Sequence, residues 1–379
     1  MAKARVGVAV VGLAGVGMVH LMAATMLAED YRLVAVADTD GERAKTVGAG
    51  FGVPAFTSVD EVLAAGGVDA VVLAVPPFLH GPLTRQALAA GVHVYCEKPL
   101  TPTAAEGRGL AAAAAAAGRV VQVGLQYRFL PAYQQARALI EAGAIGAVRR
   151  VSVVATTWFR PAHYFTDRPW RARWATVGGG VLMHQTCHQL DGLISLVGPP
   201  LRVDADAWRA LHDCEVEDSV ALLLEFPGGA RGSLVASSAE PVGSNRTEVH
   251  GDRGSLVIEG FGLRRAAFAG SAGAVAATQT DDLATVPVTW TDLVVDGGRA
   301  MEFAAIVDCH RDFLAAIAGE VAAPRNGPLE ATQAVETINA AYLSALWRAP
   351  LPVPVDDADY AAAYQDLCAG RATFPRIAP

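Results

Sequence analysis

The sequence predicts a mixed fold in two parts, an α/β part built on a doubly wound parallel sheet and then an α+β part with a large, mostly antiparallel open sheet. Three observations predict it. Short apolar strands alternate with helical segments as far as residue 124, the pattern of a parallel sheet with right-handed crossovers. A glycine-rich turn follows the first of those strands. Beyond Pro131 the alternation stops, and longer strands separated by hairpin turns replace it. The expected boundary gives parts of residues 1–127 and 128–379.

The first strand, Val6 to Val11, is apolar and runs into Gly12, Ala14, Gly15, Val16 and Gly17, a near match to the dinucleotide turn G-x-G-x-x-G. Gly12 permits the tight exit from the strand, and Gly17 lets the next helix pack on the sheet with its first amides facing a pyrophosphate. Ala14 departs from the pattern where the backbone comes nearest the phosphates; a methyl is tolerable there if its φ is negative, and Gly15 keeps the loop permissive. The second strand, 33–37, ends in Asp38, about twenty residues past Gly17, where an acid for the ribose hydroxyls is expected. Thr39 and Asp40 follow it, so NAD is favoured over NADP, a preference moderated by Arg43 nearby. The first part therefore reads as a Rossmann dinucleotide-binding domain.

Its third strand, 69–75, ends at Pro76-Pro77 on the nicotinamide side, followed by His80, a structural residue expected to cap the next helix. The strand at 92–96 ends in Glu97-Lys98-Pro99. A lysine at the carboxyl end of a parallel strand points into the crevice where such sheets bind ligands, and the proline beside it fixes the backbone. The Ala-rich run 110–117 reads as a crossover helix stopped by Gly118, before a last strand at 119–124.

In the second part a helix at 132–142 leads into strands at 147–158, 218–226, 230–238, 247–250 and 255–259, with a helix at 180–196 and further helices near 301–318 and 328–346. The stretch 266–283 has no clear period, and no internal repeat occurs. On a helix running from Gly180, His184, His188 and Asp191 fall at i, i+4 and i+7 on one face. Histidine suits a general base near neutral pH: His188 would take a hydroxyl proton as hydride leaves carbon, while Lys98 hydrogen-bonds the same oxygen. Asp191 either holds the imidazole tautomer or binds a substrate hydroxyl.

The same spacing, with Cys187 nearby, suits zinc, but no second ligand cluster accompanies it and no metal is expected. Buried, satisfied polar residues are a further reading of that face. Three of the six tryptophans fall in one segment with Trp158, Arg160, Tyr164, Trp170 and Trp174, a mixture suited to the apolar face and hydroxyls of a sugar ring. A subunit interface or a core plug is the competing reading. Gln126 and Arg128 form a second candidate lining.

The order of these features, from the glycine turn through Asp38, Pro76-Pro77, His80, Glu97-Lys98-Pro99 and Gly178-Gly179-Gly180 to His184, His188 and Asp191, resembles the glucose-fructose oxidoreductase, inositol dehydrogenase and rhizopine-catabolism family, Gfo/Idh/MocA, over nearly the whole chain. The resemblance implies that Lys98 and His188 are the catalytic lysine and histidine, that a secondary alcohol of a sugar, cyclitol or glycoside is reversibly oxidised, and that a homodimer or homotetramer forms on the open face of the second sheet. One position departs: four residues before His188 the family commonly carries Asp, sometimes Asn, and here stands His184. Glycoside cleavage through transient oxidation, or a non-catalytic sugar- or NAD-binding sensor, are the alternatives.

Composition narrows the classes. At 379 residues and 52% hydrophobic the chain suits two domains, and a net charge of −8 with dispersed basic residues argues against a nucleic-acid partner. No apolar run reaches the ~18 residues of a membrane span. Lys3, Arg5 and the apolar run 6–19 resemble a secretory signal, but its four glycines weaken such a helix, and a cytoplasmic location is expected. Five cysteines without a C-x-x-C pair fit a reducing compartment.

Overall fold

The computed structural model describes residues 5–281 and 286–377. They divide into two compact units: residues up to Gln126 with Ala175–Gly178 and Phe303–Val335, and Tyr127–Trp174 with Gly179–Glu302 and residues from Glu336 onward. The chain thus returns to the first unit at 303–335, a stretch that a single cut after residue 127 assigns to the second part.

In the first unit six strands, β1 (Val6–Val11), β2 (Tyr31–Ala37), β3 (Ala55–Phe56), β4 (Ala70–Leu73), β5 (His93–Cys96) and β6 (Val121–Val123), pair in the order β3-β2-β1-β4-β5-β6. Every pairing is parallel. Val8, Ala9, Val71, Leu73, Val94 and Cys96 are fully buried, because helices cover both faces of such a sheet and its strands must be apolar throughout. The Ala-rich segment is the helix Ala104–Ala117, started by Thr103, whose hydroxyl accepts from the Glu106 amide, and stopped by Gly118 at φ 59°. Asn326 ties the returning segment to the sheet edge: its carbonyl accepts from the Val123 amide at 2.9 Å, and its side chain donates to the Leu125 carbonyl at 2.6 Å.

The second unit holds a nine-stranded sheet of β7 (Val148–Ala155), β8 (Arg202–Trp208), β9 (Ser219–Glu225), β10 (Arg231–Ser237), β11 (Asn245–Gly251), β12 (Gly254–Glu259), β13 (Gly262–Ala267), β14 (Thr289–Val294) and β15 (Leu351–Pro352). Their order is β14-β13-β12-β11-β7-β10-β9-β8-β15, antiparallel except where β10 runs parallel to β7. Alternation sets its faces: Leu222 and Leu224 are buried, whereas Leu223 between them is 63% exposed. The helices Pro131–Glu141 and Cys187–Val197 pack together, and Gly192 is required where Tyr133 crosses it, since a Cβ would strike that ring.

Five strands escape the sequence reading: β8, β13, β14 and the two-residue β3 and β15. The unplaced stretch 266–283 contains a short helix, Ala272–Thr278, capped by Ser271; residues 282 and 283 lie outside the described residues. The helix expected at 180–196 is two pieces, a π-helical turn Val181–Gln185 and an α-helix Cys187–Val197. Among the described residues no helix is long and apolar enough to cross a membrane.

Candidate active site

The first unit supplies the nucleotide turn. Gly12 has φ 85° and Gly15 φ 58°, conformations that a side chain would strain. A Cβ on Gly17 would run into the Gly12 carbonyl, so the helix approaches the strand only with glycine there. Ala14 meets the condition set on it, because among the described residues Arg348 is the one non-glycine with positive φ. The helix Val16–Met26 starts at Gly15 with no side-chain cap; the Gly17 and Met18 amides make long bonds, 3.3 and 3.2 Å, to the Ala14 and Gly15 carbonyls. Asp38, at the end of β2, accepts from the Leu13 amide at 2.8 Å, the Asp40 amide at 2.9 Å and Arg43 at 3.0 Å. Burial opposes its ionisation, but those amides and Arg43 hold its carboxyl below the usual range. Arg43 also pairs with Asp40, at 3.0 Å.

The loop after β5 is fixed from three directions. The Glu97 carboxylate accepts from the Lys98 amide at 3.2 Å and from His20 Nε2–H at 3.0 Å. His20 Nδ1 accepts from His310 Nε2–H at 3.0 Å, and His310 Nδ1 from the Tyr31 hydroxyl at 3.1 Å. Assigned in this direction, each proton has an acceptor while both rings stay neutral. Burial and the neighbouring His20 keep His310 well below its usual value, and burial raises the Tyr31 hydroxyl, in agreement. His80 bridges the adjoining loops, Nδ1 lying 2.6 Å from the Pro99 carbonyl and Nε2 2.9 Å from that of Val75. Burial lowers its pKa against the pull of those two carbonyls. It spans the ends of two strands and does more than cap a helix. Lys98 itself is half-buried, and Gln126, at the end of this unit, is buried.

The second unit supplies His188, half-buried, with the Tyr127 ring stacked on it at 5.3 Å and 21°. The π-turn widens the helix ahead of it, as the Thr186 amide bonding back to the Val181 carbonyl shows. His184, His188 and Asp191 therefore do not form one straight i, i+4, i+7 row. Asp191 is fully buried and takes Arg128 in a bidentate grip, with contacts of 2.9 and 2.6 Å. That places Arg128, an expected substrate contact, on Asp191. His184 Nδ1 lies 3.2 Å from both the Tyr164 hydroxyl and the Gln185 amide nitrogen.

Sequence reasoning missed Glu217, which positions this turn. It accepts from the Gly180 amide at 2.7 Å, the Leu182 amide at 3.0 Å and the Tyr342 hydroxyl at 2.9 Å. Burial pushes its carboxyl up to about 7 despite those donors. The Glu lies far along the chain from the turn it holds, and nothing in the local pattern marks it.

The aromatic segment divides in two. Trp174 is not a lining residue: it is 1% exposed, its indole donates to the Glu215 carbonyl at 3.0 Å, and Tyr342 and Phe374 pack on it. Trp158, Arg160, Tyr164, Trp170 and Arg171 do cluster. Arg160 is anchored through its backbone, its amide donating to Ser238 at 2.9 Å and its carbonyl accepting from His212 Nε2 at 2.6 Å. His212 in turn bonds Asp218 at 2.9 Å. Burial would raise the Asp218 carboxyl, yet His212 and the amides of Ala210, His212 and Leu211 pull it down to about 2. A depressed carboxyl stabilises the fold above its unfolded value, near 4, and that contribution is lost as pH falls through about 2. Urea unfolding across pH should therefore show Asp218→Asn less stable than wild type by roughly 2 kcal/mol or more at neutral pH, the gap closing below pH ~3. A pH-independent gap would contradict this linkage.

Among the described residues no group of three or more His, Cys, Asp or Glu is arranged to hold a metal.

Residues 6–125 match the oxidoreductase family with an NAD-binding Rossmann fold, and residues 133–257 match the GFO/IDH/MocA C-terminal domain. The inositol 2-dehydrogenase of Rhizobium meliloti is 30% identical over 254 residues, which cover 65% of this chain and 74% of that protein. The chain belongs to the Gfo/Idh/MocA oxidoreductase family. The scyllo-inositol 2-dehydrogenase (NAD(+)) of Bacillus subtilis is also 30% identical, over 67% of this chain and 74% of its own. The crystal structure of GenD2 from gentamicin A biosynthesis, in complex with NAD, superposes with a TM-score of 0.77 at 28% identity, covering 94% of this chain and 98% of that one. A Gfo/Idh/MocA protein is an oxidoreductase with an NAD-binding domain, and the turn described above fits that cofactor. Gly12 and Gly17 stand where a Cβ would strike backbone, the helix behind them carries no side-chain cap, and Asp38 at the end of β2 holds the Leu13 amide of the same turn.

Proposed function

We propose that the protein is an NAD-dependent dehydrogenase acting on a secondary alcohol of a sugar, cyclitol or glycoside. The observation that carries this reading is Lys98 at the end of β5, its loop fixed through Glu97 and His80 in the unit that carries the nucleotide turn. Bound NAD supplies the hydride acceptor. His188 takes the hydroxyl proton, and Tyr127 stacked on its ring limits the orientations open to the imidazole. Lys98 donates a hydrogen bond to the same oxygen as negative charge develops on it. A carbonyl product forms, one proton passes to His188, and two electrons leave with the hydride.

A panel of sugars, inositols and glycosides incubated with NAD⁺ and NADP⁺, followed at the NADH absorbance, tests the reading. One substrate should give NADH in proportion to ketone formed. Aglycone release without net NADH would replace the dehydrogenase by a glycoside-cleaving enzyme that oxidises transiently, and binding with no redox change in any arm would leave a sensor.

NAD(H) should bind more tightly than NADP(H) by roughly tenfold or more, the ratio that about 1.4 kcal/mol of repulsion gives. Asp38 opposes a 2′-phosphate, and Arg43, the base nearest it in sequence, is held by Asp38 and Asp40. Titration calorimetry checks this, with equal or reversed affinities as the contrary result. The open sheet face that exposes Leu223 and Val235 is the surface on which we place a homo-oligomer, to be checked by sedimentation. Five cysteines in the reduced state accord with a cytoplasmic location.

A further inference from the structure

The second unit holds a cationic cluster for which hydride transfer alone has no use. The Arg160 guanidinium carbon lies 5.3 Å from the Trp158 ring centroid and 4.5 Å from that of Tyr164. That of Arg171 lies 4.0 Å from Tyr164 and 5.4 Å from Trp170. Each guanidinium is thus held against two rings. Stacking of this kind engages the face of the cation and leaves its in-plane N–H donors to the edge.

Those donors are sparsely used. Arg171 gives one to the Tyr164 carbonyl at 3.1 Å, while Nε of Arg160 and Nε of Arg171 are buried with no hydrogen-bond partner among the described residues. The nearby carboxylates pair with other arginines, Asp167 with Arg168 at 3.4 Å and Glu215 with Arg173 at 3.9 Å, although the charge of Asp167 also reaches Arg171. Burial is the main cause that depresses the Arg171 pKa, with Arg168 and Arg160 adding to it against the pull of Tyr164 and Asp167. The cluster is also preorganised: His212 and Ser238 fix the Arg160 backbone, and the Tyr164 hydroxyl reaches His184, four residues before His188.

We propose that Arg160 and Arg171 form an anion subsite that takes the carboxylate or phosphate of an acidic sugar substrate. The inference rests on the dehydrogenase reading for the word substrate, and on the cluster itself for the anion. Two rigid forks with free edges match the paired oxygens of either group, and charge-assisted bonds of this kind are about twice as strong as neutral ones. The aromatic rings then serve to hold the arginines, whereas the sequence reading had them stacking on the sugar.

The test is titration calorimetry on the full chain loaded with NADH, using glucose, glucuronate, gluconate, glucose 6-phosphate and inorganic phosphate. At least one anion should bind wild type roughly tenfold or more tighter than glucose, with affinity falling as salt rises. Arg160→Gln and Arg171→Gln should each lower that affinity by about 10–100-fold, with NADH affinity and thermal midpoint little changed. The uronate and phosphate arms separate the two sources of charge. The proposal is overturned if no anion in the panel binds wild type more tightly than the double glutamine variant, or if the substitutions weaken glucose as much as the anions. Arginine-dependent anion binding without reduction of NAD⁺ by any sugar would keep the subsite and remove the dehydrogenase reading. Oxidation of neutral substrates with no effect of the arginines would do the reverse.

Discussion

Replacing His188 with alanine, or Lys98 with methionine, is expected to lower turnover by roughly 10²–10⁴-fold, the range typical of general acid–base catalysis. NAD affinity should stay nearly constant in both variants, because the nucleotide turn and Asp38 are built without either side chain. His188 carries the stacked Tyr127 ring at the start of the Cys187–Val197 helix, and Lys98 sits on a loop whose neighbours are locked by His20 and His80. His184→Ala should differ, since its ring engages Tyr164 and Gln185; a change in the pH profile or Michaelis constant should exceed the loss in maximal rate. Steady-state kinetics beside NAD titrations decide these points. A fully active His188→Ala enzyme would remove the proposed base.

Asp191→Ala is expected to destabilise the second unit by about 3–5 kcal/mol, the usual effect of removing one partner from a buried ion pair. Asp191 is fully buried and Arg128 is 11% exposed, so the guanidinium left behind would lack its carboxylate in a setting that water reaches poorly. Replacing both residues with apolar side chains of similar volume should recover most of the loss, as desolvation is then avoided for both charges. Urea unfolding of the two variants measures this. A loss below about 1 kcal/mol in Asp191→Ala would mean that the pair is solvated in solution.

Asp191 also shows where sequence reading reaches its limit. Its position three residues after His188 was legible, but its partner is Arg128, sixty-three residues earlier, and only packing brings them together. The parallel sheet was legible because its buried strands are continuous apolar runs and its turns carry Gly12, Gly17 and Asp38 at fixed spacing. The strand β8 was harder: its alternation of Arg202, Asp204 and Asp206 with Val203, Ala205 and Ala207 is present, but the charged face masks an edge-side strand. The π-turn at 181–185 could not be read at all, since the Glu217 carboxylate that holds its Gly180 and Leu182 amides comes from a distant segment just before β9. Likewise His20 and His310 are ordinary helical residues in sequence, and their bond to each other depends on a contact between chain segments 290 residues apart.

The measurement that tests the central claim most directly is the mass of the reduced cofactor after turnover with a substrate from the panel deuterated at its carbinol carbon. Direct hydride transfer predicts NADH carrying one deuterium, in proportion to ketone product. NADH without deuterium, or ketone formed with the cofactor unlabelled throughout, would contradict it.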